Sequence, residues 1–317
     1  MNPFRTPARG YFYVIFAALL WAIAGSSSKY LFHNGISPFQ LAQLRVTISA
    51  FVLFLWLFIR RPALLKIDRN DITYFLILGT FGMAAVQIAY LFAISKLHVA
   101  AAILLEYLAP IFIALHSAVF LREKLSMSTV LAIAGATTGC YLVVGAYNLN
   151  MLNLNIAGII SGICAALAFS WWSVHGEYGM RRYDPWTVLF YALLFAALEW
   201  NVLHPPLESL LHTYSPVKWT MILYIAVAGT ILPFGFYLEG INLIRSTRAS
   251  ITATLEPIGA GIISYIFLDE IMEPLQIAGG VLVIGAVILL QLKQEYDDKA
   301  PDIIRAQKQA DDLRLKS

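Results

Sequence analysis

Residues 110–123 read PIFIALHSAVFLRE, and residues 257–270 read PIGAGIISYIFLDE. Each stretch opens on a proline and closes on Phe-Leu-x-Glu: Phe120, Leu121 and Glu123 in the first, Phe267, Leu268 and Glu270 in the second. The two copies lie 147 residues apart, and the same offset continues outward along the chain. Pro38 matches Pro185, Phe39 matches Trp186, Gly82 matches Gly229, Tyr90 matches Tyr237 and Ala102 matches Ala249. Near the start the register slips by one, and Ala17-Ala18-Leu19 aligns with Ala165-Ala166-Leu167. The chain is therefore a duplication. Each half carries five apolar spans, and an odd number obliges the second half to enter a membrane from the opposite face. The expected fold is all-α and integral to the membrane: ten transmembrane helices arranged as two inverted-topology repeats of five. That arrangement belongs to transporters that alternate access around a site near the bilayer midplane.

Composition supports the membrane reading. Of 317 residues, 59% are hydrophobic and 13% charged, with mean hydropathy +0.71. A soluble domain has no means of hiding that much apolar surface. A helix needs about 20 apolar residues to cross about 30 Å of hydrocarbon. Ten stretches qualify: 11–31, 39–60, 71–94, 98–120, 126–146, 156–179, 186–204, 218–241, 247–268 and 274–293. Barrel-type alternation is absent, which leaves helices as the spanning solution. The organisation read from these is an N-terminus at 1–10, a first repeat at 11–146, a second at 156–293 and a charged tail at 294–317.

Basic residues set the orientation. With ten spans both termini share a side. Eighteen Lys and Arg fall there, among them Arg60, Arg61, Arg122, Arg181, Arg182, Arg245 and Arg248, against Lys29, Lys96 and Lys218 opposite. The positive-inside rule then makes both termini cytoplasmic in a bacterial-type inner membrane. The first span lacks a small-residue cleavage site and pairs with span 6, so it reads as retained rather than as a signal peptide. Cys140 and Cys164 both fall inside spans and read as packing residues. The tail reads as a solvated extension.

The duplicated Pro-x(9)-Phe-Leu-x-Glu pattern, Trp21 followed by small residues, and the 5+5 plan resemble the drug/metabolite transporter superfamily, EamA group, over residues 10–293. The resemblance implies that the first four spans of each half surround a central cavity. It implies that spans 5 and 10 stand outside as scaffold, packing through Gly135, Gly139, Gly279, Gly280 and Gly285. It also implies export of small metabolites, amino acids included.

Charges inside spans single out candidate sites. Arg45 in span 2 and Glu106 in span 4 lie at similar depth at 1.5 Å per residue. Two readings stay open for them. They form a clamp for a zwitterion, or a structural ion pair. Pro110 removes the helical partner of the Glu106 carbonyl, Pro257 that of Ala253 and Pro233 that of Gly229. Glu106, Pro110, Glu256 and Pro257 are therefore coupling or hinge candidates, with Glu256 a candidate proton carrier and Thr252 or Tyr265 its alternative partners. Glu199, Glu239, His116 and His175 are weaker candidates, and His116 reads as a satisfied packing histidine. Trp21, Phe169 and Trp172 form an aromatic lining, with Tyr107 beside Glu106. Tyr90 and Tyr237 are a mirrored pair that could gate the two mouths. Gln43 and Gln87 are polar groups within spans. Ser28, in the run Gly25-Ser26-Ser27-Ser28, offers a hydroxyl to substrate or back to its own helix.

Walker, dinucleotide, zinc and hydrolase motifs are missing. No enzyme activity, cofactor, metal or nucleic-acid partner is expected. The expected partners are a small-molecule substrate, lipid and, as a candidate coupling ion, protons; the chain is read as a monomer or homodimer. The leading reading is a secondary exporter of amino acids or related amphipathic metabolites. The alternatives are a carrier of organic cations, quaternary amines or drugs, and a non-transporting scaffold or sensor.

Overall fold

A computed structural model describes residues 7–97, 99–120, 122, 125–143, 147, 155–203, 205, 207–259, 273–292 and 299–315. Leu121, Glu123, Tyr265, Phe267, Leu268 and Glu270 lie outside the described residues. The described residues are helical almost throughout. Helices α1 (Pro7–His33), α2 (Pro38–Arg60), α3 (Arg69–Lys96), α4 (Val99–Glu106), α5 (Ala109–Val119) and α6 (Met127–Val143) build the first half. The second half contains α7 (Ile156–Met180), α8 (Pro185–Leu203), α9 (Pro216–Ala253) and α10 (Pro274–Leu292), followed by a tail helix α11 (Pro301–Leu315). Among the described residues six helices are long and apolar enough to cross a membrane: α1, α2, α3, α7, α8 and α9. The others are shorter.

Local chemistry explains several boundaries. Ser37 starts α2: its hydroxyl accepts from the Gln40 N–H at 3.1 Å, and the Gln40 side chain accepts from the Ser37 N–H at 2.9 Å. That reciprocal pair satisfies two orphan donors, and Pro38 at the first helical position gives up none. Spans 4 and 9 are not merely kinked. α4 ends at Glu106 and α5 begins at Ala109, with Tyr107 and Leu108 in a turn. In the second half α9 ends at Ala253, Thr254 and Leu255 form the matching turn, and helix resumes at Glu256. Both breaks therefore precede their proline by two to three residues. α3 and α9 also carry matched π-helical turns, Leu78–Ala84 and Val227–Ile231. Pro233 follows the second, but Val86 stands at its repeat position, so proline alone does not create the feature.

Arg245 interrupts α9 with φ 67 and ψ 164, dividing it into two helices. A positive φ is costly for a residue with a Cβ. Buried Glu177 of α7 holds the conformation. Its carboxylate accepts from Arg245 Nε at 3.0 Å, from the Ser246 N–H at 2.8 Å and from the Ser246 hydroxyl at 2.6 Å. At the repeat-related place on α1, Lys29 donates to the carbonyls of Ile94 and Leu97 at 2.7 and 2.8 Å. A cation thus caps the C-terminal end of α3 and an anion caps the start of the second arm of α9. Both follow the sign of the helix dipole.

α6 and α10 pack on each other. A Cβ at Gly139 would meet the Gly279 carbonyl at 2.7 Å and Val283 Cγ2 at 2.6 Å, so only glycine permits that approach. Gly135 faces Ala286. A Cβ at Gly280 or Gly285 would meet nothing within 4 Å among the described residues, so neither contributes to this contact there. The tail, expected to be solvated, is docked at its start, where Arg305 donates to the carbonyls of Met180 and Tyr183 at 2.8 and 2.7 Å, and is exposed over residues 306–311. On the same surface Arg182 pairs with Asp68 and Asp71. Burial, then a hydrogen bond to Asp71, pushes the Tyr183 phenol above its ordinary value.

Candidate functional site: a charged cavity between the halves

A cavity of about 560 Å³, its mouth included, opens between the two halves. Its wall draws on α1 (Trp21, Ala24, Gly25), α2 (Arg45), α3 (Val86, Gln87, Tyr90) and the α4–α5 break (Glu106, Tyr107, Ala109, Pro110). The second half supplies Phe169 from α7, Phe234 and Ser250 from α9, and Glu256 beyond the break. Its lining, mostly apolar with a few convergent polar groups, is the kind that receives small organic molecules.

Arg45 is 3% exposed and held by the π-turn of α9. Its Nη2 donates to the Gly229 carbonyl at 2.7 Å, the oxygen that Pro233 deprives of a helical donor. Its Nε donates to the Thr230 hydroxyl. One turn along α2, the Ser49 hydroxyl donates to the Ala226 carbonyl at 2.7 Å. The guanidinium therefore clasps the two halves together. No ion pair joins Arg45 to Glu106 among the described residues, so the expected structural pair is not what buries Arg45. Nη1 makes no hydrogen bond among the described residues. Glu106 also lines the cavity, and its carboxylate accepts no hydrogen bond among the described residues.

Glu256 has different company. The Tyr107 hydroxyl lies 2.8 Å from Oε2 and the Tyr90 hydroxyl 3.4 Å from Oε1. The Tyr107 hydroxyl also lies 2.6 Å from the Ala253 carbonyl, the oxygen freed by Pro257. Tyr90 reaches this position because Gly25 leaves room: a Cβ there would stand 3.1 Å from the phenol oxygen. Of the expected alternative partners of Glu256, Thr252 donates instead to the Arg248 carbonyl at 2.8 Å, and Tyr265 lies outside the described residues.

Aromatic rings form the apolar wall. The Trp21 centroid lies 5.0 Å from Phe234 and 6.0 Å from Phe169. Trp172 and Tyr237 stand behind them, fully buried, with Tyr237 within 3.2 Å of the Ser173 hydroxyl. Tyr90 and Tyr237 are thus unequal: one lines the cavity and the other backs its wall.

Three further candidates lie elsewhere. Ser28 donates to the Ala24 carbonyl at 2.9 Å, within its own helix, because its hydroxyl reaches that oxygen more readily than any cavity. Gln43 ties α2 to the end of α8 through Asn201 and to the segment after it through Pro205 and Ser209. Pro257 shapes the break without lining the cavity. Gln87 does line it, with its amide 3.4 Å from Met83 Sδ. Among the weaker candidates, Glu239 accepts from Trp186 and the His175 ring contacts the Trp171 carbonyl, while His116, expected to be satisfied, has a buried Nδ1 with no partner among the described residues. Sequence reasoning did not find Phe234, Ser250, Ala24, Val86 or Ala109. Phe234 adjoins Pro233 and carried that one signal.

An apolar helical chain with a charged and aromatic cavity between its halves is the build of a multi-pass membrane transporter for small molecules. The model of the EamA-like transporter family matches residues 8–145 and again residues 156–292, and the chain belongs to that family, within the drug/metabolite transporters. It is similar to an uncharacterized inner membrane transporter, YicL, of Salmonella typhimurium: 27% identical, over 90% of this chain and 95% of the relative. It is also similar to the pseudopaline exporter CntI of Pseudomonas aeruginosa, 24% identical over 79% and 85% of the two chains. A probable terminal-alkyne amino-acid exporter of Streptantibioticus cattleyicolor is 26% identical over 87% and 92%. A solved crystal structure superposes with TM-score 0.72 over 90% of this chain and 97% of that one, at 19% identity, which speaks to the fold.

Proposed function

We propose that the protein is a secondary transporter that exports small metabolites, amino acids or related amphipathic zwitterions, by alternating access around this cavity. In this reading ten spans form two inverted repeats in a bacterial-type inner membrane, with both termini cytoplasmic. The short helices α4 and α5 are the halves of one broken span. Trp21, Gln87, Tyr90, Tyr107 and Phe169 contact the substrate. One observation carries the reading: a carboxylate and a guanidinium nitrogen that have no hydrogen-bond partner among the described residues, those of Glu106 and Arg45 Nη1, share a cavity walled by aromatic rings. The carboxylate suits an ammonium group, the guanidinium suits a carboxylate, and the rings suit an apolar side chain. Of the relatives named above, one is described as a pseudopaline exporter and one as a probable terminal-alkyne amino-acid exporter, which favours export of a small molecule and, through the second, of an amino acid.

A second reading, an organic-cation carrier, is favoured by the commitment of Arg45 Nε and Nη2 to Thr230 and Gly229. There Arg45 is wholly structural and Glu106 with the rings receives the cation. Binding of radiolabelled leucine to purified protein, with unlabelled choline as competitor, separates the two. Leucine binding that choline does not displace supports the zwitterion. Choline binding without leucine binding supports the cation.

A further inference from the structure

The Tyr107 oxygen sits between two acceptors and owns one hydrogen. It lies 2.6 Å from the Ala253 carbonyl and 2.8 Å from Glu256 Oε2. A single O–H satisfies one such contact with good geometry, not both. The Ala253 carbonyl has no other donor among the described residues, because Pro257 occupies the position that would supply one. With the Tyr107 hydrogen directed there, the short contact to Glu256 is a hydrogen bond only if Glu256 is the donor. We propose that Glu256 is a resident proton site, neutral in this conformation, and that Tyr107 is the positioning residue that reports its protonation to the break in α9.

The surrounding groups agree with a neutral acid. Tyr90 from α3 donates to Oε1, the oxygen that a neutral carboxyl keeps as acceptor. Among the described residues that line the cavity Arg45 is the one cation, against two carboxyls, Glu106 and Glu256, so both carboxyls charged would leave one uncompensated. Cys140 of α6, whose thiol lies 4.0 Å from the Thr254 carbonyl, and Ser250 of α9 complete the polar surroundings. α1 and α7 contribute Trp21, Ala24, Gly25 and Phe169, none of which carries charge.

The switch follows from the same count. When the Glu256 proton leaves to water in the cavity, the carboxylate becomes the stronger acceptor. The Tyr107 hydrogen then turns from Ala253 to Glu256. No atom is lost from Tyr107, but the Ala253 carbonyl loses its donor at the point where the helix is already interrupted. Proton release at the cavity thereby loosens the break in α9. An ammonium-bearing substrate drawn to Glu106 favours that release, which makes proton and substrate competitors for one conformation. This last step rests on the transport reading; the proton site does not.

Two measurements keep them apart. Infrared spectra of purified wild type, Glu256→Gln and Glu106→Gln are compared at neutral pH, each variant first confirmed monodisperse. The carbonyl stretch of a neutral carboxylic acid should be present in wild type, absent in Glu256→Gln and retained in Glu106→Gln. No such band, or a band that survives Glu256→Gln, overturns the proton site whatever the protein transports. Counterflow of radiolabelled leucine is then followed against pH. Wild type should respond by up to about tenfold per pH unit, as one bound proton allows, while whatever flux Glu256→Gln retains is flat. A wild-type profile kept in Glu256→Gln overturns the switch. Absence of wild-type counterflow overturns the transport reading and leaves the infrared result standing.

Discussion

Glu106→Gln separates binding from folding more cleanly than any other single change in the cavity. The Glu106 carboxylate accepts no hydrogen bond among the described residues, so the amide breaks none. Stability should therefore move by less than about 1 kcal/mol, the range of substitutions that touch no buried network. Binding should respond differently. An ammonium–carboxylate hydrogen bond is worth about 1.5–3 kcal/mol, which corresponds to about 10- to 150-fold in Kd. The more obvious variant, Arg45→Ala, is confounded by the structure. It removes the donors to Gly229 and Thr230, strands the carbonyl that Pro233 orphaned and opens the clasp between the halves. Hydrogen bonds made by a charged group are worth about 1.5–3 kcal/mol each, and this change removes both. Loss of flux in Arg45→Ala would then speak as much to unfolding as to recognition. The assay pairs thermal melting in detergent with equilibrium binding of labelled leucine on the same preparations. A Glu106→Gln protein that melts with wild type and binds at least tenfold more weakly fits the reasoning. Unchanged affinity would refute the ammonium site, and a large fall in melting temperature would refute the claim that Glu106 is free.

Other substitutions test the frame around the cavity. Tyr107→Phe removes the donor to the Ala253 carbonyl and should cost about 1–3 kcal/mol, read as a lower melting temperature. Glu177→Ala leaves Arg245 without its carboxylate at a strained φ and should cost about 3–5 kcal/mol; unchanged melting would mean that the turn holds without it. Gly139→Leu forces a side chain into the Gly279 and Val283 backbone and should cost at least about 1–3 kcal/mol, again by melting, whereas Gly280→Leu, which meets nothing within 4 Å, should be tolerated.

How far the sequence could be read depended on the range of the interaction. The 147-residue offset placed Pro110 and Pro257 at equivalent points, and the missing N–H of Pro257 and Pro233 marked the carbonyls of Ala253 and Gly229 as orphans. Those are local, covalent consequences of proline, and both carbonyls carry the side-chain donors such orphans need. Which side chain answers them was not legible. Tyr107 and Arg45 come from the other half of the chain, and nothing in local spacing connects them. The facing of each helix was equally hidden. In a soluble helix the polar stripe marks the outside, but here the outer surface is as apolar as the core: Phe12 is 64% exposed and Phe81 71%. Ser28 and Gln43 therefore read the same way as Gln87, though they serve a helix and an interhelical tie while Gln87 reaches the cavity. Glu177 was missed for a related reason. It lies near the end of a span with no motif around it, and only the conformation of Arg245 shows the need for it.

Counterflow in proteoliposomes tests the central claim most directly. Vesicles preloaded with a mixed amino-acid pool are given labelled leucine, with labelled choline in parallel, and Glu106→Gln is run beside wild type. The account predicts transient leucine accumulation that choline does not share and that Glu106→Gln loses. Choline accumulation alone would replace the zwitterion with a cation. Accumulation of neither, beyond that of protein-free vesicles, would contradict transport of amphipathic amines through this cavity and return weight to a scaffold or sensor.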